Sequence, residues 1–446
     1  MTQPKTIYII QKTSTIKRLM MLFIPMISFI VGCNQKQNDS SSPIVKDSLI
    51  IGLSTPITEA EKKYYAEACK KWYEAALLHR GFNGGILVAK KGNVVFEDYS
   101  GSPNLDNIND SITENTSFHI ASVSKTFTAM AVLKLWQDGK INIDDELVKY
   151  FPAFNYPGVT IKTLLNHRSG LPNYVHFVET LHWNKDFFIT NQDVLNFLIN
   201  NKASLTDISK PDTHFTYCNT NYALLALLIE KIAGESYSNY LNNTFFKPLE
   251  MKHTYVFDTS MTKSVTNSFE WNERPIPFNY LDAVYGDKNI YATPRDLLTW
   301  DKALNSNKIF TATTLEAAYT PYSNEKKGAR NYGLGWRMNI YPTGQKMIYH
   351  NGWWHGNNAS FIRLISDSAT IIVLGNKFNR NIYHAKDLAV IFGNNYKSDE
   401  DEEPNNAHKP KSIVKQQIPA KVVKKVAVKK GKARKGRITN PTKKRI

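Results

Sequence analysis

Between Phe118 and Trp136 the chain reads as a helix that is apolar on nearly every face. Phe118, Ile120, Val123, Phe127, Met130, Ala131 and Leu133 fall all around its axis. A helix of that kind is covered on all sides, so the rest of the chain must wrap it in layers. At 446 residues with 42% hydrophobic content the chain can bury so large a core. The same helix nevertheless carries Ser122 and Lys125, three residues apart and therefore on one face, one turn from each other. An N-cap serine with a solvated lysine is the ordinary reading of such a pair. The apolar flanks argue against it, because a buried lysine needs a reason and chemistry is a good one. A serine hydroxyl becomes a nucleophile when a neighbouring base takes its proton. A lysine serves as that base once desolvation or a second cation keeps it neutral. The helix start adds N–H groups and positive potential where an oxyanion would form.

Two further segments extend this reading. Pro211 opens a turn that leads into Tyr217-Cys218-Asn219 and an apolar helix closed by Gly234. Later, His350-Asn351-Gly352 ends the strand-like run Lys346–Tyr349. Ser-x-x-Lys, Tyr-x-Asn and His-x-Gly in this order resemble the serine penicillin-recognising superfamily. More closely they resemble its class C β-lactamase-like branch, which holds class C β-lactamases, D-alanyl-D-alanine carboxypeptidases, D-aminopeptidases and related esterases. Asp138–Asp145, Val159–Pro172, Gly286–Trp300 and Tyr332–Trp336 also look like that family's segments. The resemblance covers roughly residues 82–393.

The resemblance implies a role for each motif residue. Ser122 is the expected acylated nucleophile. Lys125 is the general base, or the cation that depresses its neighbour. Tyr217, a phenol with an ordinary pKa of about 10, would accept the proton with Lys125 at hydrogen-bond range and later protonate the leaving group. Two such groups titrate as a pair, so the choice of base stays open. Asn219 is expected to orient Lys125 and a substrate amide. His350, Gly352 and Trp353 are expected to line the substrate. The backbone N–H groups of Ser122 and Trp353 would form the oxyanion hole. His167 is read as a histidine that structures its loop. His176, His182 and His355 lack metal-ligand spacing, so neither a metal nor any other cofactor is expected.

This chain departs from the family pattern at several positions. Many β-lactamases carry a lysine where His350 stands, and a histidine is mostly neutral at pH 7. That favours ester or amide chemistry over strong β-lactam turnover. Cys218 replaces a serine, Asp212 stands where a glycine is common, and Trp353-Trp354 replace small residues. The expected function is therefore an exported serine hydrolase acting through acyl-Ser122 on an ester or amide, an esterase or D-Ala-D-Ala-type peptidase. Two alternatives stand beside it: a true class C-like β-lactamase, and a catalytically silent binding protein of the same fold. The intact Ser122, Lys125, Tyr217 and Asn219 argue against the last. The expected partner is a small-molecule or peptide acyl substrate.

The net charge of +17 is unevenly placed. Residues 404–446 carry +15 and residues 1–32 carry +4, so the residues between them sum to −2. A nearly neutral body gives no footprint for nucleic acid. Lys17-Arg18 precede the apolar run Leu19–Val31, which is short for a transmembrane helix. The run ends at Ile30-Val31-Gly32-Cys33, which resembles a bacterial lipobox, so Cys33 is the expected lipid anchor. That reading places the protein in a bacterial cell envelope, membrane-anchored and facing the periplasm or exterior. Residues 1–32 are thus expected to be a lipoprotein signal peptide, and 33–58 a polar tether. Residues 59–396 form the expected catalytic domain and 397–446 a disordered basic tail. The tail lacks apolar residues for a core, and its other reading is contact with an anionic envelope surface. Cys69 and Cys218 are expected as separate buried thiols.

The coarse pattern gives a helix over Glu59–Arg80 and a hairpin of Gly84–Lys90 with Asn93–Tyr99 turned at Lys91-Gly92. Mostly helix and loop follow to about residue 305. Antiparallel strands are expected over Arg330–Tyr341, Lys346–His350, Asn358–Ser366 and Ala369–Asn376, with a closing helix Asn381–Gly393. Strands at both ends with helices between imply one sheet built from distant segments. The expected class is α/β in the α+β sense, β-lactamase/transpeptidase-like: an antiparallel sheet flanked by helices, plus a mostly helical lobe.

Overall fold

The computed structural model describes residues 54–105, 109–325, 328–393 and 396. The chain divides into two units, Met1–Asp47 and Ser48–Ile446, and every described residue lies in the second. Cys33, the leader, most of the tether and the basic tail fall outside the described residues.

The main sheet is antiparallel throughout and has seven strands. They are β1 Gly84–Lys90, β2 Asn93–Ser100, β6 Arg330–Tyr332, β7 Arg337–Ile340, β8 Lys346–Trp354, β9 Asn357–Leu364 and β10 Ala369–Gly375. Three short strands, β3 Phe118–His119, β4 Tyr255–Val256 and β5 Ile290–Ala292, form a second sheet in the order β3-β5-β4. The main order is β2-β1-β10-β9-β8-β7-β6, so the first and last strands of the chain pair at its heart, from Gly84↔Gly375 to Lys90↔Ala369. β1, β9 and β10 are buried at every position. Their side chains alternate between two cores, as the two-residue strand period requires. Leu87, Ala89, Ile372 and Leu374 join the larger core. Ile86, Val88, Ile371 and Val373 join the smaller one.

The smaller core is closed by α1 Glu59–Ala76 and by the 3₁₀ helix Arg380–Ile391. Helix α1 starts at a capping box: Glu61 N–H donates to Thr58 Oγ1 at 3.1 Å, and Thr58 N–H donates to the Glu61 carboxylate at 2.8 Å. The larger core holds α2 Ser124–Gln137, which is buried from Ser124 to Leu133, as its all-round apolar pattern demands. Around it lie α3 Ile161–Leu165, α4 Tyr174–Thr180, α5 Asn191–Asn200, α6 Asn219–Ala233, α7 Tyr237–Leu241, α8 Pro294–Asn305 and α9 Ala312–Ala318. The fold is the mixed antiparallel-sheet-and-helix class expected from the sequence.

Two elements differ from expectation: the helix read between Phe118 and Trp136 starts only at Ser124, after strand β3 and a 3₁₀ turn Ala121–Val123, because Phe118–His119 pair with β5, and the run Arg330–Tyr341 folds back on itself. Arg330–Tyr341 is a hairpin, with Tyr332 opposite Arg337, and not one strand. The turn residues explain it. Gly335 has φ +85°, and a Cβ there would lie 2.2 Å from Ala129 Cβ on α2. A Cβ on Gly333 would lie 2.1 Å from the Ala318 carbonyl. The two glycines fold the chain back, Gly335 against the helix that carries Lys125 and Gly333 against the end of α9.

Candidate active site

Ser122 sits in the single 3₁₀ turn Ala121–Val123 that leads into α2. The residue before it, Ala121, holds a left-handed φ of +47°, a costly conformation for a residue with a Cβ. Its surroundings hold it there. The Ala121 N–H donates to His119 Nδ1 at 3.1 Å, and His119 Nε2 meets Asn289 Oδ1 at 3.0 Å. An acceptor on one ring nitrogen and a donor on the other fix a neutral ring with its proton on Nε2. Burial pushes that imidazole down to about 4, so it stays neutral. On either side of the serine, Ile120 N–H donates to Ile290 O at 2.9 Å and Ile290 N–H to Ser124 Oγ at 3.1 Å. Gly352 completes the seat. A Cβ there would stand 2.3 Å from the Ile120 carbonyl and 3.1 Å from Ser122 N, so only glycine lets β8 come this close.

Lys125 is fully buried. Its Nζ lies 3.2 Å from Ser122 Oγ, 2.8 Å from Asn219 Oδ1 and 2.7 Å from the Asp287 carbonyl oxygen. An ammonium has three donors, and all three are engaged. Asn219 Oδ1 and the Asp287 carbonyl oxygen accept two of its N–H bonds and hold the nitrogen against the serine hydroxyl. The nucleophile and a base are thus pre-aligned without any further movement.

The Tyr217 geometry corrects one expectation. Lys125 does not reach the phenol oxygen; it stands 5.0 Å from the Tyr217 ring centroid and 5.6 Å from that of Tyr222, over their faces. Arg337 also lies over Tyr217, its guanidinium carbon 5.1 Å from the same centroid. His167 packs on Tyr217 with ring centroids 4.3 Å apart. It is itself in a left-handed conformation, φ +59°, and its Nδ1 accepts the Cys218 N–H at 3.1 Å. It structures the loop, as expected. Burial first, then Lys125 and His350, hold it well below the usual histidine range. Asn219 starts α6 with its Oδ1 on Lys125, and its amide nitrogen bonds none of the described residues. Cys218, between them, is buried against the Leu171 carbonyl, and burial pushes its thiol up to about 11. Asp212 keeps a glycine-like φ of +61° and ties the preceding turn to Arg168 at 2.7 Å. Cys69 and Cys218 are both free and buried.

On β8 the pleat turns His350, Gly352 and Trp354 toward α2 and Trp353 to the opposite face. His350 is buried, and both ring nitrogens are engaged: Nδ1 at 2.7 Å from the Asn351 carbonyl and Nε2 at 3.1 Å from Tyr332 Oη. Burial, then Arg337 and Lys125, keep it well below the histidine range, so it is neutral. The indole of Trp353 is 46% exposed and lies against Phe378, so only its backbone faces the cleft. The Trp354 indole is held by its Nε1 donating to Asp282 Oδ1 at 2.5 Å.

Several residues of this arrangement were not legible as site residues: His119, Asp282, Asp287, Lys288, Asn289 and Arg337. Asp287 acts through its carbonyl, which any residue supplies. Its carboxylate takes the Tyr174 hydroxyl at 3.0 Å, and Tyr174 takes Lys288 Nζ at 2.6 Å. Burial lowers the Lys288 ammonium. The one available signal was position: Asp287, Lys288 and Asn289 lie in the family-like stretch Gly286–Trp300, and Arg337 follows Tyr332–Trp336 directly.

Comparison with known proteins agrees with this geometry. A family model described as Beta-lactamase matches residues 71–393. Penicillin-binding protein 4* of Bacillus subtilis (strain 168) is 29% identical over 335 residues, covering 71% of this chain and 73% of that protein. Protein flp of Staphylococcus aureus (strain N315) is 29% identical over 317 residues, covering 65% of this chain and 59% of that protein's length. Among solved structures, the octameric penicillin-binding protein homologue from Pyrococcus abyssi superposes with a TM-score of 0.63 at 25% identity, over 73% of this chain and 77% of that one. With its serine–lysine pair seated on a buried helix against the His-x-Gly strand, the chain belongs to the Beta-lactamase family and is a serine hydrolase of that fold.

Proposed function

We propose that the protein is a peptidase or esterase that acylates Ser122 and prefers substrates with a carboxylate on the leaving-group side, as in D-Ala-D-Ala peptides. Lys125, whose Nζ lies 3.2 Å from Ser122 Oγ, takes the Ser122 proton as Oγ attacks the carbonyl carbon. The proton then passes to the leaving amine or alcohol, and water releases the acyl group. The observation that carries the preference is Arg337. His350 is neutral and cannot supply charge, but Arg337 lies one strand away, opposite Tyr349, with its guanidinium beside Tyr217. A guanidinium is charged at every working pH and fits a carboxylate with two parallel bonds. This restores the permanent cation that the sequence motif lacks. It also keeps a second reading in play, turnover of a β-lactam, whose carboxylate would meet the same group.

The test is turnover of an acyl-D-Ala-D-Ala peptide beside the same peptide amidated at its C-terminus. The free acid should show a kcat/KM larger by at least about tenfold, the size of one charge-assisted contact. Arg337→Gln should erase the difference. Equal turnover of acid and amide by the unaltered protein would overturn the preference, and undiminished turnover by Ser122→Ala would overturn the mechanism.

We also propose that residues 1–32 are an export leader followed by a lipid-bearing Cys33, and that the basic tail contacts an anionic envelope surface. Lys17-Arg18, the apolar run and Ile30–Cys33 support the first, and fifteen cations without an acid in 404–446 support the second. Cys33→Ser should abolish metabolic labelling by palmitate; unchanged labelling would refute the anchor.

A further inference from the structure

Lys125 is held by two acceptors from distant parts of the fold: Asn219 Oδ1 at the start of α6, and the Asp287 carbonyl in the segment before β5. One residue joins those two places. Tyr174, the first residue of α4, donates its backbone N–H to Thr220 Oγ1 at 2.7 Å, next to Asn219, and its hydroxyl to Asp287 Oδ2 at 3.0 Å. Tyr174 is fully buried. Burial, then the Asp287 charge, hold its phenol well above the usual range, so the hydroxyl keeps its proton for Asp287.

The same hydroxyl accepts from Lys288 Nζ at 2.6 Å. Lys288 is buried as well; its Nζ also donates to the Val284 carbonyl at 3.1 Å and lies 4.7 Å from the Trp354 ring centroid. The second oxygen of Asp287, Oδ1, has no hydrogen-bond partner among the described residues and stands 3.6 Å from Lys288 Nζ. A buried carboxylate with a free oxygen needs a cation close by, and Lys288 supplies it. Left uncompensated, that carboxylate would favour the ammonium form of Lys125, which cannot take the Ser122 proton.

The other groups around Lys125 leave this pair to set the balance. His167, after α3, and His350, on β8, are neutral. Burial pushes the Cys218 thiol up to about 11 and the Tyr222 phenol well above its usual range, so both stay protonated. Tyr217 presents its ring face, and the Arg337 guanidinium on β7 lies over that ring too. On the Lys288 side His119 is neutral, and Asp282 is engaged by His355 Nε2 and the Trp354 indole.

We propose that Tyr174, Asp287 and Lys288 form the positioning unit of the general base: Tyr174 ties the two acceptors of Lys125 together, and the Lys288 ammonium offsets the Asp287 carboxylate so that it does not fix the proton on Lys125. The inference rests on the acyl-Ser122 reading with Lys125 as the base. The three side chains act through Lys125 and are positioning residues.

The test is the pH profile of kcat/KM for p-nitrophenyl acetate, whose acid limb reports the proton the base must lose. Lys288→Met keeps an unbranched chain against Trp354 and removes the cation. Its acid limb should move up by about one pH unit, because the bare carboxylate favours the ammonium. Asp287→Asn should move the limb down by a similar step, because Lys288 then stands as an uncompensated like charge. The double variant should return the limb to within about 0.3 of its place in the unaltered protein, which a loss of packing alone would not do. Tyr174→Phe keeps both charges and removes the tie, so acylation by a fluorophosphonate should slow at least about tenfold with the limb in place. Unmoved limbs in both single charge variants, or a double variant shifted as far as either, would refute the charge balance. Undiminished acylation of Tyr174→Phe would refute the tie. Undiminished turnover by Ser122→Ala would instead overturn the acyl-Ser122 reading, and the unit with it.

Discussion

Three buried histidines, His119, His167 and His350, stay neutral in the fold, each held below the usual range first by burial. The unfolded chain binds a proton at each near pH 6.5, whereas in the fold His119 binds one only near 4 and burial holds the other two well below the usual range. Below about pH 6.5 the unfolded state therefore holds more protons, and stability falls as pH falls. Each histidine contributes a slope approaching roughly 1.4 kcal/mol per pH unit. Denaturant midpoints measured from pH 7.5 to 5.0 should decline, and His119→Asn should remove about a third of that decline, the share of one site in three. A flat profile would show that these rings are not neutral in the fold. At this scale the sequence showed Ser122, Lys125, Tyr217 and Asn219, because their spacing is local and their side chains carry the chemistry. It did not show His119 or Asn289, which meet across 170 positions and act through a backbone turn.

Elements make the site by approaching one another, and glycines mark the approaches. Gly352→Ala would drive β8 against the Ile120 carbonyl, 2.3 Å from the new methyl. The seat of Ser122 must then shift, and a misplacement of about 1 Å costs on the order of 100-fold in rate. The expected outcome is a folded protein, with an unaltered circular dichroism spectrum, whose acylation by a fluorophosphonate is at least about 100-fold slower. Normal labelling would mean that the contact is not needed. The hairpin of β6 and β7 shows why elements were only partly legible. Arg330–Tyr341 reads as one strand because its apolar residues run on through the bend, and the bend depends on what Gly333 and Gly335 meet on distant elements. The helices α2 and α6 were legible because their burial is written into their own pattern.

The molecule as a whole is closed at its back by Tyr396, which is buried and accepts from Gln345 Nε2 at 2.6 Å. A chain shortened after Pro404 keeps this contact and should hydrolyse esters unchanged. A chain shortened before Ile391 loses Phe392 and Tyr396 from the smaller core and should melt several degrees lower, since about 1 kcal/mol moves the midpoint by roughly 2–4 °C in a domain of this size. Equal melting of the two would show that the closing segment does not stabilise the sheet. The sheet was legible as one built from both ends of the chain, although its order was not, because pairing partners lie hundreds of residues apart. That order also sets a timetable. β1 pairs with β10, about 280 residues later in the chain. At roughly 5–20 residues per second, a ribosome needs on the order of 15–60 s to make the second after the first. For all that time the newborn hairpin has an unpaired inner edge and apolar faces without cover, so the chain cannot settle before its last strand is made.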